Sequence, residues 1–375
     1  MTAWISGQQL IQQFEEWAPK TLAFDKDRIG LLVGSLNKQV KRVMVTLDVL
    51  ENVADEAAEK DVDLIIAHHP VIFHPLMKTV RSDEGQGKII TKCIRNDIAV
   101  YAAHTNLDIA EGGVNDMLAA RLNLQQPQIL QETYIEPLYK LAVYVPVSDY
   151  ERVRQVLGDA GAGAIGNYSH CTFSSGGEGA FLPEEGTHPY IGQVGKMEHT
   201  DEKKVETIVP EHLLKAVIRR MLKAHPYEEP AYDVYLLQNK GKAYGLGRIG
   251  KLPEPVLFSD YCRMVKETLG LEGLRATGDL DQKVQTIAVS GGDGNSLIPF
   301  ARYQGADVLI TGDVYYHTAH DALLCGLKVI DAGHHIESIM KEGVQHYLQK
   351  IIAQEGFQTE VITSEAPTNP FHFIV

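Results

Sequence analysis

Short apolar runs alternate with amphipathic segments along the first third of the chain. VKRVMVTLDV is a β-branched strand signal, ENVADEAAEKD reads as a helix, and DLIIAHHP is a short strand ending in two histidines. GKIITKCIRND then predicts a helix, AVYAAHT a strand and GGVNDMLAARLN a helix. Unbroken apolar strands separated by helices predict a parallel sheet covered on both faces. The same grammar returns from residue 284: VQTIAVSGG, DVLITGD and KVIDAGHH as strands, SLIPFARYQG and YYHTAHDALLCG as helices. A long helix around IESIMKEGVQHYLQKIIAQ and a short strand TEVITS close the chain.

The middle has a different rhythm. YKLAVYVPVSDYERVRQVLGDAGA reads as strand then helix, YIGQVGKMEHTDEKKVETIVP alternates like strands, HLLKAVIRRMLKAH is a helix and AYDVYLLQ a strand. Strand–helix–strands–helix–strand fits a ferredoxin-like α+β module, in which LAVYVPV and AYDVYLLQ would pair within one sheet. Its ends, near Tyr139 and Gln238, would then lie close together, as an insertion requires. The expected organisation is α/β: residues 1–130 form one half, 131–240 an inserted module and 241–375 a second, related half.

Composition narrows the function. The chain has 375 residues, enough for two or three domains, with 44% hydrophobic residues and a formal net charge of −14 from 49 acids and 35 bases. No basic stripe suits a polyanion, so nucleic acid is not expected as a partner. Lys215, Arg219, Arg220 and Lys223 are expected on the solvated face of one helix. Cys93, Cys171, Cys262 and Cys325 form no CxxC pair, which suits a reducing cytosol and small core residues rather than a thiolate zinc site. The opening MTAWISGQQLIQQFEEW is an amphipathic helix pattern without a basic, apolar leader, and no run is long enough to span a membrane, so the expected place is the cytoplasm.

Four clusters of metal-capable side chains fall at strand ends. His68 and His69 precede Pro70. Adjacent strand residues point to opposite faces, so the pair serves two ions, or one ring turns where Pro70 breaks the ladder, or neither binds metal. His104 and Asp108 follow the strand AVYAA; Asp108 is expected in a loop, as a ligand or as a turn cap before Gly112-Gly113, and His104 as an orienting group. His334 and Glu337 lie three apart after Gly333 and share a helical face, with His335 the competing ligand. Asp313, in Thr311-Gly312-Asp313, is either a carboxylate behind a ligand or, the favoured reading, a helix N-cap. His74, beside Pro75, reads as an ordinary loop residue. Mixed nitrogen and oxygen ligands suit zinc, manganese or iron, and two carboxylates allow bridging in a two-metal site.

IIAHHP, AAHTNLD, ITGD and DAGHHIE, together with the early DRIGLLVGS, resemble the Nif-three-like family, whose members carry the name GTP cyclohydrolase 1 type 2. The resemblance covers both outer segments. It implies a Nif-three-like fold with two divalent ions, zinc foremost, at His68, His69, Asp108, His334 and Glu337. The sequence departs from many relatives in reading HHIES where they have HHxxE. The middle resembles the CutA/PII-like insert of the longer bacterial members, and relatives tend to form toroidal hexamers. The implied activity is metal-dependent hydrolysis of a purine nucleotide: water acidified by one ion attacks the imidazole-ring carbon of GTP, with His104 shuttling a proton. The rival is a non-catalytic metal-binding adaptor or chaperone. No P-loop is present, and the runs Ser290-Gly291-Gly292-Asp293-Gly294 and Ser174-Ser175-Gly176-Gly177 are turns before they are phosphate cradles. Loops around His188 and His225 are candidate covers or partner contacts, or simple corners.

Overall fold

The computed structural model describes residues 4–72 and 80–374; His74 lies outside the described residues. The polypeptide forms two compact units, one of residues 1–134 with 244–375 and one of residues 135–243.

The first unit contains two sheets of near-continuously buried strands. In the five-stranded sheet the order is Glu360–Thr363, Arg42–Thr46, Leu64–Ala67, Ala99–Ala102, Gly30–Val33. The first four run parallel and the last is antiparallel. In the six-stranded sheet the order is Arg275–Thr277, Lys328–Asp331, Val308–Gly312, Lys283–Asp293, Ala243–Leu257, Gln125–Ile135. Its three inner parallel strands are flanked by antiparallel ones. The mixed α/β architecture follows from the apolar runs: Leu64, Ile65, Ile66 and Ala67 are all buried, as only a sheet covered on both faces allows.

The two sheets exchange strands. The carboxyl-terminal strand Glu360–Thr363 pairs with Arg42–Thr46, while Gln125–Ile135, from the first segment, edges the second sheet. One apolar core joins them, containing Val43, Leu64 and Tyr101 from one sheet and Val289, Val308 and Ile330 from the other. Smaller cores lie behind each sheet, under the helices Glu51–Glu59 and Gly85–Arg95 in one case and Ile298–Tyr303 and Tyr316–Leu324 in the other. The opening helix Gly7–Trp17 starts where Ser6 accepts a bond from the Gln9 amide, and it buries Leu10, Ile11 and Phe14 at helical spacing. Of the four cysteines, all free, only Cys93 is fully buried; the other three are half-buried, so the expectation of four core residues is corrected. No helix among the described residues is long and apolar enough to cross a membrane.

The second unit is a four-stranded antiparallel sheet in the order Tyr232–Leu236, Leu138–Pro146, Glu198–Pro210, Thr172–Phe181, with helices Tyr150–Asp159 and Glu211–Ala224 after its first and third strands. This is the split β-α-β pattern. Leu141 pairs with Val234, so the strands LAVYVPV and AYDVYLLQ are sheet neighbours. Val217 and Met221 face the core of this unit, while Lys215, Arg219, Arg220 and Lys223 are exposed on the other side of the same helix. His225 donates from Nε2 to the Tyr144 carbonyl (2.9 Å) and accepts from the Tyr227 amide (3.1 Å), fixing an internal corner. Ser174-Ser175-Gly176-Gly177 lies within the edge strand Thr172–Phe181.

The two ends of the second unit lie together, where the Glu136 amide bonds the Lys242 carbonyl at 2.9 Å. The strand Gln125–Ile135 extends past residue 131, so excision at 131 would remove part of the second sheet. Replacing residues 136–242 by a short Gly/Ser linker is therefore expected to leave a folded protein, because ends that already touch cost little to join. Circular dichroism and thermal unfolding check this; loss of the cooperative transition would mean that the first unit does not fold by itself.

Candidate metal centre

In parallel sheets, ligand sites form where strands end at their carboxyl edge. The strand Leu64–Ala67 ends into His68 and His69, Ala99–Ala102 into His104, and Arg42–Thr46 into Asp48. In the second sheet, Val308–Gly312 ends into Asp313, and Lys328–Asp331 leads through Gly333 to His334. Gly333 has φ +81°, a conformation a side chain would strain. His334–Ile339 is a 3₁₀ helix, whose three-residue turn stacks His334 directly on Glu337.

These ends converge. Glu337 Oε2 stands 3.0 Å from His69 Nε2, 3.2 Å from His334 Nε2 and 3.6 Å from His68 Nε2. His68 Nε2 is also 3.5 Å from Asp108 Oδ1. Three sets of donor atoms each lie within 4.8 Å of one another: His68, His69 and His104; His69, His334 and Glu337; His68, Asp108 and Glu337. Donors about 2.0–2.2 Å from a tetrahedral ion lie about 3.4 Å apart, so this spacing suits coordination. His68 and His69 both lie beyond the last strand residue, where alternation no longer forces their rings apart; the ring centroids are 5.1 Å from each other.

The outer ring of contacts orients the imidazoles. His69 donates its Nδ1 hydrogen to Asp48 (2.7 Å), His104 to Asp27 (2.9 Å), His334 to Asp313 (2.6 Å) and His68 to the Ala103 carbonyl (2.8 Å). With Nδ1 engaged in every case, Nε2 is the nitrogen left for coordination, as in carboxylate–histidine–metal arrangements. His68 Nε2 and Asp108 Oδ1 are buried and make no hydrogen bond. Buried polar atoms are rarely left so; a cation between them would account for both.

Several expectations are corrected by this geometry. Asp108 lies in a short helix, Thr105–Ile109, rather than a loop, and the Gly112 amide is bonded by Asp116, not by Asp108. Asp313 does not cap a helix: the N-cap of Tyr316–Leu324 is Tyr315, and Asp313 holds His334 instead. His335 turns away, toward Thr368 Oγ1 at 3.4 Å. The run Ser290–Gly294 packs on the cluster, and a Cβ at Gly292 would come within 2.5 Å of Glu337 Oε1. Asp27 and Asp48 escape sequence reasoning altogether; the only signals are the Asp that opens DRIGLLVGS and a lone acid after the strand VKRVMVTL.

Charge follows the packing. Burial opposes ionisation of Glu337, but His68, His334 and His69 around it hold its carboxyl well below the usual range. Burial pushes Asp108 up to about 6, against the pull of His68. Glu337 beside it raises His334 to about 9, against burial. Burial would lower His69, but Asp48 and Glu337 outweigh it and lift it to about 9. One side of the cluster opens on a cleft of about 1630 Å³ that His69, His104, Asp108, His334 and Glu337 line.

The chain has relatives along nearly its whole length. The family model described as Duf34/NIF3 (NGG1p interacting factor 3) matches residues 5–370. A Bacillus subtilis relative, 52% identical over 370 residues covering 99% of each chain, bears the name GTP cyclohydrolase 1 type 2 homolog. The crystal structure of a Bacillus cereus protein related to NIF3 is 51% identical, superposes with a TM-score of 0.92, and is covered to 99% by 98% of this chain. Staphylococcus aureus protein SA1388 is 30% identical, with a TM-score of 0.80 and 99% of each chain covered.

Divalent ions compete with protons for the same imidazole nitrogens. His69 and His334, raised to about 9, carry protons at neutral pH in the metal-free protein, so any metal bound there would have to displace them. Apparent affinity for zinc is expected to rise between pH 6.5 and 9, by up to about tenfold per pH unit for each proton released. Competition titration against a chelator across that range checks the sign; an affinity independent of pH would contradict it.

Proposed function

Because the chain belongs to the Duf34/NIF3 family, we propose that it is a dinuclear metal protein that hydrolyses a purine nucleotide, in the manner the name GTP cyclohydrolase 1 type 2 homolog describes for its relatives. His68, His69, Asp108, His334 and Glu337 would hold the ions, Glu337 with one oxygen facing three imidazoles. Mixed imidazole and carboxylate donors suit zinc, with manganese or iron as alternatives. Bound there, the ions would supply Lewis-acid polarisation and lower the pKa of water in the site.

The remaining residues have separable tasks. Asp48, Asp27 and Asp313 fix the rings of His69, His104 and His334. In this reading His104 carries a proton between water and the departing ring nitrogen, with Asp27 holding its Nδ1 hydrogen. His68, fully buried, keeps water from the cluster on its own side. The observation that carries the hydrolase reading over an adaptor is the cleft: His69 and His334 are part-exposed on it, whereas a purely structural ion pair would be enclosed. The same reading takes the inserted unit as CutA/PII-like, supported by its split β-α-β topology. It includes a cytoplasmic location and a toroidal hexamer.

Turnover of metal-loaded protein on a nucleotide panel, with product mass as readout, tests the activity. GTP is expected to gain water with opening of its imidazole ring. His104→Gln is expected to lower kcat by about 10²–10⁴-fold while metal content stays at the wild-type level. No change in mass for any purine nucleotide would overturn the hydrolase reading, and loss of metal in His104→Gln would make His104 a ligand instead.

A further inference from the structure

The chain does not stop at its last strand, Glu360–Thr363; it continues along the metal cleft. Glu56 anchors the departure, accepting from Ser364 Oγ (2.6 Å), the Glu365 amide (2.9 Å) and the Ala366 amide (3.2 Å). Asn52 Nδ2 then donates to the Pro367 carbonyl at 2.8 Å. The Thr368 hydroxyl stands 3.4 Å from His335 Nε2 and helps hold the carboxyl of Asp48, the partner of His69, below its usual range. At the far side, Phe373 lies on Gly273, where a Cβ would meet its ring at 2.6 Å. The segment 368–373 is thus a wall of the cleft, tied to the outer ring of the metal cluster at one end and to the residues after helix Phe258–Thr268 at the other.

Between these ties Phe371 is 70% exposed, and Phe24, in the same cleft, is 45% exposed. Of the five exposed phenylalanines among the described residues, three (Phe24, Phe371 and Phe373) line this one cleft. Exposed apolar rings that line the same cleft as the histidine and carboxylate cluster fit a ligand with a flat face and an anionic end. We propose that the carboxyl-terminal segment 368–373 is the ring-binding wall of the cleft, with Phe371 contacting a planar heteroaromatic ring whose anionic group points to the cluster. Phe373 and Thr368 position that wall. The inference rests on the nucleotide reading above and adds to it the residues that would select the base.

Equilibrium dialysis of the full-length, metal-loaded protein separates ring from phosphate, using guanosine monophosphate and its ring-free counterpart ribose 5-phosphate. Phe371→Ala is expected to weaken guanosine monophosphate about tenfold or more, leave ribose 5-phosphate within twofold, and leave metal content unchanged. Phe371→Tyr is expected to restore nucleotide binding. Wild-type protein that binds the two probes equally, or a Phe371→Ala variant that binds guanosine monophosphate as the wild type does, would overturn the proposal. GTP turnover on the same preparations keeps the two claims apart: ring-selective binding without turnover supports the wall and counts against hydrolysis.

Discussion

One carboxylate organises the site. Glu337 is buried, yet it stays ionised because the Nε2 atoms of His68, His69 and His334 lie within 3.6 Å of one of its oxygens. An isolated buried anion costs far too much to persist. Here the cationic charge around it offsets that cost, whether protons or metal ions carry it. The neighbouring Asp108, more dependent on His68 alone, is pushed the other way. Opposite shifts on two neighbouring buried carboxyls are a pattern typical of functional sites.

That cluster depends on two sheets meeting at their carboxyl ends. His68, His69 and His104 end strands of one sheet; His334 and Asp313 follow strands of the other. The exchange of strands ties the sheets together, since Glu360–Thr363 cannot leave its partner Arg42–Thr46 without opening the common core. Gly292 and Gly333 let backbone approach the cluster where any side chain would clash or strain. The scaffold therefore fixes the donors before any ligand arrives, which lowers the ordering cost of binding.

Much of this is legible in the residues themselves. An apolar run that ends in His68-His69-Pro70 says both that a strand stops and that its end is chemical. His334 and Glu337, three apart, share a face in either kind of helical turn. Other features have no local signal. Asp27 and Asp48 are two acids among 49, and only the folded chain brings them to His104 and His69, 77 and 21 residues away. The exchanged strands show why: period and composition reveal that Gln125–Ile135 and Glu360–Thr363 are strand-like, but partners are chosen by tertiary packing. Asp313 reads as a cap because it precedes a helix, and it holds His334 because Lys328–Asp331 runs parallel beside its own strand.

The central proposal is that Glu337 would help to hold two ions. Elemental analysis of wild-type protein and of Glu337→Ala, each reconstituted with zinc and dialysed, tests it most directly. The account predicts about two ions per chain in the wild type and fewer than one in Glu337→Ala, with an unchanged circular dichroism spectrum. Two ions retained by the variant, or one or none bound by the wild type, would contradict it.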